Sequence, residues 1–383
     1  MASSRSWPDH GMGWPPSADW PPYLRGGQVR RGHMRTPATV ADIDAIIGTP
    51  PRMVLLKATG TLDEGCREVF AAAPAAALGI RDTSGVPRTM LVGGTAGFAR
   101  AESRTRLSLP VPDGSPMPAL GTGVSMVFLI PGVGETFRLN GTAAGAGGGR
   151  VAIDMTEAYM HCARCMLRSK LWTAVPDAPP DAPNVPAGGP LSAPGAAAFL
   201  AASPFTFLSS RDGEERADTS PRGDGPGFLQ VLDGATLALP DRRGNKRADT
   251  LRNLMTCPDV SLAALLPGSS EVLHLSGTAR VSTDPDLLAT MALRDKPPHA
   301  AIIVHVEHAE LTRATAVDVL WNGPRDPGRL PDLTGIAAAH VAANTESGRG
   351  ARLLGRGLAA APGALTRRAM DASYRSALRD EGY

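Results

Sequence analysis

The apolar positions of this chain fall into short runs, each bounded by glycine, proline or aspartate. Residues 124–130, 136–139, 260–266, 272–275 and 301–306 have this form, which predicts strands of antiparallel sheet. Runs 228–233 and 236–239 flank Asp233-Gly234, a dipeptide suited to a tight hairpin. Apolar spacing closer to 3.6 predicts helices at 40–47 and 62–72, and in a tail at 335–344, 351–360 and 365–379.

The pattern also repeats. Arg81-Asp82 returns as Arg211-Asp212, Gly97-Phe98 as Gly227-Phe228 and Leu109-Pro110 as Leu239-Pro240, each 130 positions later. Pro131-Gly132, Glu135 and Gly141-Thr142-Ala143 return as Pro267-Gly268, Glu271 and Gly277-Thr278-Ala279, 136 positions later, because one loop of the second copy is six residues longer. Leu171-Trp172 matches Leu320-Trp321. A repeat of this size predicts two related domains, 39–175 and 195–325. Each reads as a small six-stranded antiparallel barrel with peripheral helices, so the class is mainly β (α+β). Residues 176–194 form a Pro/Ala/Gly linker. Residues 1–38, with no period, read as a disordered or loosely docked arm, and 326–383 as an Ala/Arg-rich helical tail.

Chemistry concentrates at 219–253. Thr219-Ser220-Pro221-Arg222-Gly223-Asp224 places a hydroxyl, a guanidinium and a carboxylate around a glycine. Asp241-Arg242-Arg243-Gly244-Asn245-Lys246-Arg247 then supplies four cations just before a helical run at 248–255. Arginine forks, a lysine point charge and free backbone N–H groups at a helix start suit a phosphate. A lone basic turn is ordinarily a solvated loop; placement between a hairpin and a helix favours the phosphate.

The two copies differ here. Met90-Leu91-Val92-Gly93-Gly94 stands where the second copy has Ser220 to Asp224, and Pro112-Asp113-Gly114-Ser115-Pro116-Met117-Pro118 replaces the basic loop. Conversely, only the first copy has Val133-Gly134-Glu135-Thr136-Phe137-Arg138 and His161-Cys162-Ala163-Arg164.

These stretches, SPRGD, GNKR, IPGVGET and HCA, resemble the pyridoxamine 5′-phosphate oxidase-like FMN-binding split-barrel flavoproteins. The resemblance implies two tandem split barrels and an FMN cofactor. Its phosphate would be held by Arg222, Lys246 and Arg247, with Ser220, Gly223, Asp224 and Asn245 beside them. Such proteins are normally two-fold dimers with sites across the interface, and a dimer repeats every site. A fused pair escapes that rule, so we expect an intramolecular pseudo-dimer, consistent with a monomer, carrying one composite site. The first barrel would bring Glu135, Arg138, His161 and Arg164 toward the flavin ring or a small-molecule substrate. An FMN-dependent oxidoreductase of unassigned substrate is the leading expectation. The alternatives are a non-catalytic flavin- or haem-binding protein and a deazaflavin-dependent reductase. The stretch Pro51-Arg52-Met53-Val54-Leu55-Leu56-Lys57 resembles a phosphate-binding strand signature of the classical oxidases. Because it precedes the first barrel strand, it is set aside as coincidence.

Composition narrows the rest. With 39 basic and 37 acidic residues, nothing suggests a nucleic-acid or membrane surface. Four cysteines in a chain of 383 residues do not make a disulfide framework, and with no signal sequence visible the expected location is cytoplasmic. His161 is suited to proton transfer near neutral pH, and equally to a capping or helix-face role. With Cys162 and Cys165 it hints at a metal. Zinc takes four ligands and no further ones lie nearby in sequence, so packing is favoured and no metal is expected.

Overall fold

The computed structural model describes residues 36–173, 188–323, 330–361 and 363–383. The arm at 1–38 therefore lies almost wholly outside the described residues, as does most of the 176–194 linker.

Two antiparallel sheets of seven strands each give a tandem split-barrel fold. The first holds β1 (Ala75–Arg81), β2 (Pro87–Gly93), β3 (Arg100–Ala101), β4 (Arg106–Pro110), β5 (Gly123–Leu129), β6 (Thr136–Gly147) and β7 (Arg150–His161). Its order is β2-β1-β5-β6-β7-β4-β3. The second holds β8 (Phe205–Arg211), β9 (Ala217–Gly223), β10 (Gln230–Val231), β11 (Thr236–Asp241), β12 (Asp259–Leu265), β13 (Glu271–Ser282) and β14 (Ala300–Arg313). Counted from β9, it runs β9-β8-β12-β13-β14-β11-β10, the same order with each strand replaced by its repeat mate. Seven strands replace the expected six because β3 and β10 are two-residue edge strands, too short to leave a period in sequence.

The repeat is visible in contacts. Thr89 bonds Ser261 Oγ at 2.7 Å, and the repeat mate Thr219 donates its N–H to Ser125 Oγ at 2.7 Å. Trp172 and Trp321 pack ring to ring, 5.7 Å between centroids. Their indole N–H groups reach equivalent carbonyls, Val133 at 2.6 Å and Ser269 at 2.7 Å. Each barrel has its own apolar core, and a third core lies between them, built on Phe205, Phe207, Val127, Leu129, Leu265 and Leu171.

The flanking helices cross over. Val40–Ile47, started by a capping box of Thr39 and Asp42, lies before the first barrel yet buries Ile43 in the second core. Arg252 donates to Asp44 at 2.7 Å in the same contact. Leu333–Ala343 follows the second barrel yet places Leu333, Ile336 and Ala337 in the first core, beside helix Glu64–Ala72.

The barrels meet so closely that glycine is required. A Cβ on Gly123 of β5 would stand 2.0 Å from the Glu215 carbonyl oxygen in the turn before β9. Gly123→Ala should therefore destabilise the protein by about 1–3 kcal/mol through overpacking. Thermal unfolding checks this against Gly147→Ala, whose added Cβ meets nothing within 4 Å.

Candidate functional site

Strand β9 shows why the second barrel carries the chemistry. It is the last strand of its sheet, where proline is tolerated, so Pro221 fits. Alternation places Asp218, Ser220 and Arg222 on one face. Across from them stands Arg138 of β6, a guanidinium 1 % exposed. It donates to Asp218, to Ser220 Oγ at 2.9 Å, to the Tyr159 hydroxyl at 2.7 Å and to Asp249 at 3.3 Å. Burial opposes its charge, but Asp218, Tyr159 and Asp249 more than offset this and hold its pKa above the ordinary arginine value. At the repeat position the second copy has His274, bonded instead to the Thr89 carbonyl at 2.9 Å.

Between the barrels lies a cavity of about 600 Å³. Arg138, His161 and Arg164 of the first barrel line it, with Ser220, Arg222, Gly223, Asp224, Asn245, Lys246 and Arg247 of the second. Nine cationic side chains face it against three carboxylates, so its field favours an anion. Several cations are already paired. Arg222 donates to Asp241, Arg242 to Asp224 at 2.6 Å, and Arg247 to Asp249 at 2.9 Å and Glu157 at 3.2 Å. Arg247 also stacks over the Tyr159 ring, 4.1 Å from its centroid.

What remains is a set of polar atoms without partners among the described residues. Arg222 Nε, Asn245 Nδ2 and His161 Nδ1 are buried with no hydrogen bond. Asn245 Oδ1 accepts the Arg247 N–H at 3.0 Å, which turns the loop and leaves its amide nitrogen free. Lys246 and Ala248 hold left-handed φ of 62° and 53°, unfavourable for residues with a Cβ and of a kind that collects at binding sites. The expected helix contribution is absent. The helix here is only Asp249–Asn253, and its first residue, Asp249, already puts a carboxylate at that end.

Other expectations need correction. Glu135 does not line the cavity; it is 1 % exposed and takes two 2.7 Å bonds from Arg367 of helix Gly363–Glu381. His161 ends strand β7 rather than riding a helix. Burial first, then Arg138, Lys57 and Arg222, push its pKa well below the ordinary value, so it is neutral at physiological pH. Cys165 packs in the inter-barrel core, and all four cysteines are free thiols.

Lys57 is the residue that sequence reading discarded. The stretch holding it is a helix, Arg52–Leu56, not a strand, and it brings Pro51, Val54 and Lys57 to the cavity wall. The ammonium has no ion pair or hydrogen bond among the described residues, although the residue is only 9 % exposed. Its motif was legible; its location followed only from the fold. The tail was missed too. Tyr374 lines the cavity, and Glu381 reaches Arg164 at 3.2 Å and Arg168 at 2.9 Å.

Burial, reinforced by Arg247 and Arg138, lowers Lys57 to about 8 from 10.5. Below about 8 the folded protein bears the full cost of a buried charge; between about 8 and 10.5 the unfolded chain binds more protons, so stability rises with pH. Lys57→Met should thus be more stable than the parent at pH 7, by a few kcal/mol at most. The gap should close as pH approaches 10.5, measured by denaturant titration across pH.

Parts of the chain are similar to known proteins. A family model described as pyridoxamine 5′-phosphate oxidase matches residues 193–313, the second barrel. Among solved structures, the chain is similar to HupZ of Group A Streptococcus (15% identity, 30% of this chain and 90% of that one, TM-score 0.26). It is also similar to a putative pyridoxamine 5′-phosphate oxidase of Lactobacillus delbrueckii (19% identity, 28% and 83%, TM-score 0.23). A third is HutZ, the heme storage protein of Vibrio cholerae (16% identity, 30% and 89%, TM-score 0.22). In sequence, 137 residues are 28% identical to Transcription factor E2-alpha of Xenopus laevis, covering 35% of this chain but only 20% of that protein. Among the described residues no helix is long and apolar enough to cross a membrane.

Proposed function

We propose, from the match of residues 193–313 to a pyridoxamine 5′-phosphate oxidase family model, that this chain is an FMN-dependent oxidoreductase acting on a small molecule, with one composite flavin site between its barrels. One observation carries the reading. Buried donors with no partner among the described residues, Asn245 Nδ2 and Arg222 Nε, line the same cavity as the unpaired ammoniums of Lys57 and Lys246. An unsatisfied buried donor costs about 1–3 kcal/mol, and a phosphate would satisfy several at once.

In this reading Asn245, Lys246 and Arg222 hold the phosphate. Bound FMN would supply the electron or hydride transfer, chemistry that no side chain here offers. Arg138 fixes the first barrel against β9 and keeps the cavity wall in register. His161, neutral with a free Nδ1, can hold or release a proton toward a substrate. The second barrel's motifs have a counterpart crevice on the opposite side of the repeat, smaller at about 400 Å³ and lined by two cationic side chains, Arg88 and Arg313. That contrast supports one site per chain. Haem is the second reading, favoured by the same neutral His161, whose ring nitrogen could ligate iron.

Absorbance of the purified protein and mass measurement of the released cofactor test this. The expected result is a flavin band and one FMN per chain. Lys246→Ala and Asn245→Ala should each weaken FMN binding about tenfold or more, the size of a lost charge-assisted or buried hydrogen bond. A Soret band would favour haem, and a colourless protein that refuses added FMN would overturn the proposal.

A further inference from the structure

Away from the cavity, where the C-terminal segment meets the first barrel, three side chains of different chemistry converge. Asp63, Cys66 and His340 bring a carboxylate oxygen, a sulfur and a ring nitrogen within 4.8 Å of one another. Asp63 is the N-cap of helix Glu64–Ala72, accepting the Cys66 N–H at 3.0 Å through Oδ1. That bond leaves Oδ2 facing His340 Nε2 at 3.0 Å. At 3.0 Å this is an ion-pair or hydrogen-bonded contact, made by a histidine only 3 % exposed. The other ring nitrogen, Nδ1, lies 3.3 Å from the Lys57 carbonyl, which can only accept. With Nδ1 bonded to that carbonyl, a metal that displaces the Nε2 proton would meet a ring nitrogen aimed at the Asp63 carboxylate. A carboxylate, an imidazole nitrogen and the Cys66 thiol thus converge on one point.

We propose that Asp63, Cys66 and His340 form a site for a divalent transition metal, zinc by its ligand chemistry, that staples the C-terminal helices to the first barrel. One imidazole nitrogen, one thiolate and one carboxylate suit zinc, and the carbonyl behind Nδ1 is the usual outer support for a ligating histidine. Bond lengths near 2.0–2.3 Å in a tetrahedron need donors about 3.3–3.7 Å apart, so on binding the Asp63–His340 pair, now at 3.0 Å, would open slightly around the ion. The Asp63 side chain is 41% exposed, which leaves a fourth position open to water. As the metal binds, the thiol proton and the proton held between His340 and Asp63 leave to solvent. The staple lies where Leu333, Ile336 and Ala337 already dock beside Cys66 and Val69, and it fixes the backbone of Lys57, whose ammonium faces the cavity.

Cobalt titration of the full, untagged chain after chelator treatment tests this. One Co²⁺ per chain should bind with a thiolate-to-cobalt charge-transfer band that Zn²⁺ abolishes by displacement. Cys66→Ser should remove the band, whereas Cys257→Ser should keep it. Asp63→Asn still caps the helix, so it keeps the fold while weakening Co²⁺ binding about tenfold or more. No charge-transfer band in the parent, or a band unchanged by both Cys66→Ser and Asp63→Asn, would overturn the proposal. Should Cys66→Ser fail to fold, the Asp63→Asn affinity decides alone.

Discussion

Strand β9 has to satisfy two barrels at once, and most of the structure follows from that. It is the edge of its own sheet, paired on one side with β8, and groups of the first barrel stand along its free edge. Thr219 gives its N–H to Ser125 and Ser220 accepts from Arg138, so backbone and side chains that an edge strand would leave to water are taken up by the repeat partner. The arrangement places Arg222, Gly223 and Asp224 on the wall of a cavity that residues of the other barrel also line. A site assembled this way cannot be complete in either copy.

Electrostatics then separate the two copies. A buried guanidinium is tolerated only with close anionic and hydrogen-bonding partners, and Arg138 has Asp218, Asp249, Ser220 and Tyr159. At its repeat mate, His274, the partners are the neutral Thr89 carbonyl and Thr312 hydroxyl. Divergence between the copies is thus concerted: a cation in one barrel requires its anions in the other.

The barrel strands were legible because turn residues bound them and the 130- and 136-residue offsets align them. The basic loop was legible as local composition. The rest was hidden by distance along the chain. Glu135 sits in a stretch resembling a site motif, yet Arg367, far downstream, captures it. The 51–57 stretch sits upstream of the barrel in sequence and is folded back to the cavity in space. The helix after the loop, read as 248–255, shortens to Asp249–Asn253, because Ala248 turns left-handed and residues beyond 253 prepare the entry to β12. Pattern reports neighbours within a few residues; the tail's contribution, through Tyr374 and Glu381, has no local signature.

The crossing of the flanking helices has a consequence for biosynthesis. During translation the first barrel emerges without Leu333, Ile336 and Ala337 of its core, while the Val40–Ile47 helix waits for a partner not yet made. Contacts of such long sequence separation are slow to form. The nascent first barrel therefore has to persist with part of its apolar core uncovered, a state in which chaperone engagement competes with aggregation. Only when helix Gly363–Glu381 is out of the ribosome can Glu381 reach Arg164 and Arg168. Completion of the first barrel's core therefore waits on residues made after the second barrel.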